Sequence, residues 1–178
     1  MTILARSDTL GVSGPGSSVD ELADGNLLSL FTSALPVEGP LPVLQIAAAA
    51  LAAAAVIQRA GAVVWWSAAL VGHVGSALLT YGIVGLASAL GSTSAENASN
   101  DADYGISAVL AASLGALLAG GLRAGDRLLI ALGVVAFVAL VPFSIGWLDL
   151  EHLFAFGLGA AVALRLGSAD PSSLRRQR

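Results

Sequence analysis

Five apolar stretches of helix length follow one another along the chain, at residues 41–60, 63–86, 105–122, 128–147 and 148–166, with few polar marks inside them. A run of about twenty apolar residues, wound as an α-helix, spans the hydrocarbon core of a bilayer. The pattern therefore predicts five membrane-spanning helices and no strands. Pro42 falls in the opening turn of the first, where a missing N–H costs nothing, and Gln45 is a polar residue inside that run. Trp65 and Trp66 open the second as an interfacial belt. Pro142 is placed to kink the far end of the fourth. Residues 26–37 are apolar but too short to span, and Pro36 and Pro40 close them, so they read as an interfacial or re-entrant piece. Residues 91–104 read as a polar, acidic loop. The Gly-, Ser- and Asp-rich residues 1–25 read as a disordered tail, 26–167 as the transmembrane domain and 168–178 as a C-terminal tail.

Composition agrees with the pattern. Of 178 residues, 56% are hydrophobic and 11% charged, and the mean hydropathy is +0.84. A soluble core of this size could not enclose so much apolar surface, so the fold class is all-α, a polytopic membrane helix bundle whose first partner is the lipid bilayer. With no cysteine there is no disulfide, thiolate nucleophile or cysteine-ligated metal. Two histidines are too few for a metal site, so no metal is expected. The eight basic residues, all arginine, sit at segment ends and form no patch suited to nucleic acid. Residues 1–13 lack the apolar core of a secretory signal.

Those arginines orient the bundle. Arg59, then Arg123 and Arg127, then Arg165 with the tail arginines follow the first, third and fifth spans, whereas Glu38, then Glu96, Asp101 and Asp103, then Asp149 and Glu151 mark the intervening ends. Arginine marks the cytoplasmic side, so the N-terminus is expected outside and the C-terminus inside.

Two polar residues enter apolar helices at the same predicted outer face. Ser107 opens the third span, and below it, four residues apart, lie Ala111, Gly115 and Ala119; the neighbouring row is Ala108, Ala112, Ala116 and Gly120. His152 opens the fifth, beside the row Ala155, Gly159 and Ala163. Such smooth rows let helix backbones approach closely in lipid. Ser107 is by residue type a helix cap or a back-bonder to a carbonyl, or else a nucleophile that needs a base within hydrogen-bond reach. His152 is a packing histidine or that base, since an unperturbed imidazole accepts a proton at pH 7. His73, deep in the second span between Gly72 and Gly75, reads as a neutral histidine hydrogen-bonded across a tight helix crossing, with no carboxylate at similar depth.

Several motifs resemble the rhomboid family of intramembrane serine proteases. Gly105-Ile106-Ser107-Ala108, continued by Leu114-Gly115-Ala116-Leu117-Leu118-Ala119, is similar to the family's Gly-x-Ser-Gly serine helix, and His152-Leu153 with Gly157 and Gly159 to its histidine helix. Leu30-Phe31-Thr32-Ser33-Ala34 resembles the segment before the family's second span, and Gly72-His73-Val74-Gly75-Ser76-Ala77-Leu78-Leu79 its glycine-rich third span. The likeness covers roughly residues 28–166 and is to divergent actinobacterial members, with the family's first span missing. It implies a rhomboid-like bundle of about five helices in a bacterial plasma membrane, with Ser107 and His152 as a catalytic dyad and no cofactor. The family's His-x-x-x-Asn oxyanion pair falls near Leu41 and Gln45, leaving Gln45 as the candidate donor. Ala108 stands where the family has glycine, and Ala111 where many members carry an aromatic residue.

Two functions stay open at this stage. One is cleavage of transmembrane protein substrates by the Ser107–His152 dyad; the other is a pseudoprotease that binds or escorts transmembrane clients. A small transporter or channel fits less well, because the spans show no buried carboxylate and no internal repeat.

Overall fold

A computed structural model describes residues 18–33, 42–99, 105–140 and 147–167, and eight helices lie among them. Each of the five expected spans is a helix: α3 (Pro42–Ala60), α4 (Ala62–Ala89), α6 (Ile106–Ala124), α7 (Arg127–Leu140) and α8 (Trp147–Leu166). The other three are short: α1 (Val19–Ala23), α2 (Ser29–Thr32) and α5 (Thr93–Ser99). The fold is all-α, as the apolar pattern requires. Among the described residues, α3, α4 and α6 are long and apolar enough to cross a membrane. The described part of α7 is shorter, and Pro142 lies outside the described residues. Helix α8 has the length to cross but carries Asp149, Glu151, His152 and Arg165.

The turns explain how these helices fold back on one another. A single residue, Gly61, joins α3 to α4 at φ +91°, a left-handed geometry that costs glycine little. Gly125 ends α6 at φ +65°, and the next N–H, of Asp126, bonds the Gly121 carbonyl as in a Schellman turn. Asp126 then caps α7, its Oδ1 accepting the Leu129 N–H at 3.0 Å. It also pairs with Arg59 at 3.6 Å. Asp126 is thus an exception to the alternation of arginines and acids between helix ends: an acid sits in an arginine-bearing turn because a helix needs its oxygen there.

Helix α6 is the centre of the bundle, packed on α3, α4, α7 and α8. Its Leu110, Leu114, Ala116, Leu117 and Ala119 meet Ala49, Ala52 and Val56 of α3, Val64 and Ala68 of α4, and Ala163 of α8 in one core. The smooth rows lie against each other. A Cβ on Gly115 would run into the Phe156 carbonyl, and one on Gly159 into the Ala112 carbonyl, so α6 and α8 touch backbone to backbone. Across the same region the Trp65 indole N–H donates to the Ser113 hydroxyl at 3.2 Å, tying α4 to α6. Trp65, expected as an interface anchor, is therefore a packing residue, while its neighbour Trp66 is exposed.

Two segments differ from the expected loops. The end of the presumed disordered tail forms α1, and Val19 and Leu22 pack with Leu30 of α2 against Val74, Ala77 and Tyr81 of α4. The polar loop before the third span holds α5, whose Ser94 hydroxyl accepts a hydrogen bond from the Trp147 indole at 3.2 Å. Helix α4, 28 residues long, measures ~42 Å, more than the ~30 Å hydrocarbon core. Gly105, immediately before α6, abuts the His73 ring, so the serine helix begins beside the middle of α4. The last sixteen residues of α4 run on past that level. The start of α6 is thus recessed below the end of α4.

Candidate functional site

Ser107 is the second residue of α6, half-buried. His152 is also half-buried and stands in the second turn of α8 rather than the first, because α8 begins at Trp147. The close approach of the two helices below them carries both side chains to one point. Ser107 Oγ and His152 Nε2 lie 2.8 Å apart, a hydrogen bond that the hydroxyl donates when Nε2 is unprotonated. Just beneath, Ala108, Ala111, Ala112 and Ala155 are buried together. The paired rings of Phe137 and Phe156, with centroids 4.1 Å apart, pack against this cluster from α7 and α8.

Helix geometry supplies the remaining part. The first N–H groups of an α-helix have no acceptor within it, and in α6 these belong to Ile106, Ser107 and Ala108. They present positive partial charge beside the Ser107 hydroxyl. Gln45 is half-buried on α3, which packs on α6. The bond that joins Ser107 to His152 does not include it.

A second polar group lies next to the pair and was only partly visible in the sequence. His73 is buried, and its Nε2 is 2.7 Å from the Leu30 carbonyl and 3.3 Å from the Ser33 hydroxyl. Both of these contacts are to α2 and its C-cap residue. Ser76, one turn further along α4, donates to Glu151 Oε1 at 3.4 Å. Glu151 is 2% exposed and adjoins His152. This corrects the expectation that the spans hold no buried carboxylate and none near the depth of His73. Thr80 continues the stripe, buried, with no partner for its hydroxyl among the described residues. The spacing His73, Ser76, Thr80 is a helical face, which could have signalled the stripe; nothing local links it to Glu151, 75 residues from Ser76. Among the described residues no group of three or more histidine or acidic side chains could hold a metal.

The fold and these residues define a class: an integral membrane helix bundle with a serine and a histidine hydrogen-bonded near one end. The sequence profile of the rhomboid-like protein family matches residues 12–169, and the chain belongs to that family. No curated protein and no solved structure matches it.

Proposed function

We propose that this rhomboid-like protein is an intramembrane serine peptidase that cleaves transmembrane segments. What carries the reading is the 2.8 Å bond between the Ser107 hydroxyl and His152 Nε2, within the reach that a nucleophile and its base require. Ser107 Oγ attacks the scissile carbonyl as its proton passes to Nε2. The oxyanion forms beside the N–H groups at the start of α6, with Gln45 as an assisting donor. His152 returns the proton to the leaving amine, and a water molecule repeats the cycle on the acyl intermediate. No cofactor takes part.

On this reading the reaction takes place at the outer side of a bacterial plasma membrane, with the N-terminus outside and the C-terminus in the cytoplasm, an orientation supported by the alternation of arginines and acids. A reporter fused after Arg178 then reads cytoplasmic and one inserted at residues 92–100 external; the reverse result removes this placement.

A serine-reactive fluorophosphonate tests the chemistry. Purified wild-type protein is expected to be labelled and Ser107→Ala not. The second reading, a pseudoprotease that binds or escorts transmembrane clients, is favoured by Ala108, Ala111 and the lack of a histidine at Leu41. An unlabelled wild type, with a deletion phenotype rescued by Ser107→Ala, decides for it.

A further inference from the structure

We propose that His73 is a positioning residue for the nucleophile, holding the start of the serine helix in place through α2 and Gly105. The inference rests on the peptidase reading for its consequence, though the clamp itself can be measured without activity. A carbonyl only accepts, so the 2.7 Å contact from Nε2 to the Leu30 oxygen puts a proton on that nitrogen. The same N–H lies 3.3 Å from Ser33 Oγ, and the imidazole thereby holds both ends of the single turn from Leu30 to Ser33. The main-chain oxygen of Ser33 in turn accepts the Gly105 N–H at 2.7 Å. On its other side Gly105 lies flat against the His73 ring: an added Cβ would run into Cε1 and Nδ1 and come within 2.9 Å of Nε2.

Gly105 has φ −81°, a conformation open to any residue. Glycine is needed there for space, and the ring occupies that space. The residue before α6 is thus tethered by one hydrogen bond and walled by one ring, both organised by His73. Ser107 lies two positions further on, so the position of its hydroxyl relative to His152 depends on where α6 begins. Residues of α2, α4 and the start of α6, remote in sequence, meet at this point. A displacement of about 1 Å at a reacting group is worth about a hundredfold in rate.

The experiment measures fluorophosphonate labelling of the full-length protein, resolved into a saturating concentration and a maximal rate, together with amide hydrogen exchange at residues 105–109. Gly105→Ala in the wild-type background is expected to lower the maximal rate about tenfold to a hundredfold, with the saturating concentration within about twofold. In a His73→Ala background, where the ring is gone, the same change is expected to cost less than about threefold. His73→Ala alone is expected to slow labelling and to loosen amide protection at 105–109. His73→Gln, which keeps an N–H donor of similar reach, is expected to recover much of both. Equal cost of Gly105→Ala in the two backgrounds, or unchanged amide protection in His73→Ala, overturns the proposal. An unlabelled wild type sinks the peptidase reading, and amide protection then decides the clamp. If His73→Ala does not accumulate, His73→Gln carries the comparison: protection at 105–109 higher than in Gly105→Ala supports the tether, and equal or lower protection overturns it.

Discussion

Helices α3 and α6 are each nineteen residues long and equally apolar, yet eleven residues of α6 are buried inside the protein against three described residues of α3. Apolar content therefore does not decide which helix is central. In lipid an apolar side chain loses nothing by facing outward, so burial follows from how closely backbones can approach. Helix α6 carries Gly115, Gly120 and Gly121 among its alanines, and Gly115 and Gly121 sit against neighbouring helices. Helix α3 has alanine but no glycine. It buries Ala49, Ala52 and Val56 on one side and turns Val43, Leu44, Ile46, Leu51 and Ile57 outward. Glycine within the rows of small residues, rather than hydropathy, picks out the helix that holds the site.

The comparison is sharpest in activity. Each helix brings one candidate residue in its first turn, Ser107 on α6 and Gln45 on α3. Ser107→Ala and His152→Ala are each expected to reduce cleavage of a reporter transmembrane substrate by ~10³-fold or more, and the double mutant to lose little beyond either, since the two act as one unit. Gln45→Ala is expected to cost about tenfold to a hundredfold as one oxyanion donor among several. A Gln45→Ala defect as deep as that of Ser107→Ala, or none at all, breaks this division of roles.

Next in size is the packing contrast. Gly115 faces the Phe156 carbonyl, whereas Ala50 on α3 is exposed. Gly115→Leu is expected to destabilise by about 1–3 kcal/mol or more, because rigid backbone rather than a movable side chain stands in the way. Ala50→Leu is expected to stay within about 0.5 kcal/mol. Reversible unfolding in mixed micelles measures both, and similar tolerance at the two sites would mean that glycine does not set the centre of the bundle.

What the sequence made legible follows the same physics. Helix length and the small rows gave the five long helices and the face on which Ser107 and His152 meet, because both are periodic signals read within one helix. The polar contacts around them were illegible for the opposite reason. His73 bonds Leu30, 43 residues away, and Glu151 meets Ser76 across 75 residues, so no local pattern marks either pair. Glu151 read as one of the acids at an outer helix end; only packing against α4 shows it buried. The short helices α1 and α5 were hidden by polar composition, and what holds them is contact with α4 and Trp147.

The smallest expected effect is at the arginine-bearing end, where Asp126 follows α6 and Arg59 closes α3. Two roles meet in one carboxylate: Oδ1 caps α7 through the Leu129 N–H, and Oδ2 lies 3.6 Å from Arg59. Both partners of the ion pair are exposed, and exposed pairs contribute about 0–1 kcal/mol, whereas losing an N-cap costs about 1 kcal/mol. Asn caps as well as Asp but carries no charge. Asp126→Asn is therefore expected to cost less than about 0.5 kcal/mol and Asp126→Ala about 1 kcal/mol, with Arg59→Gln close to Asp126→Asn. If the Asn variant lost as much as the Ala variant, the contact between α3 and the α6–α7 turn would be electrostatic. The acid would then stand in the arginine-bearing turn for its charge, and the explanation by capping would be wrong.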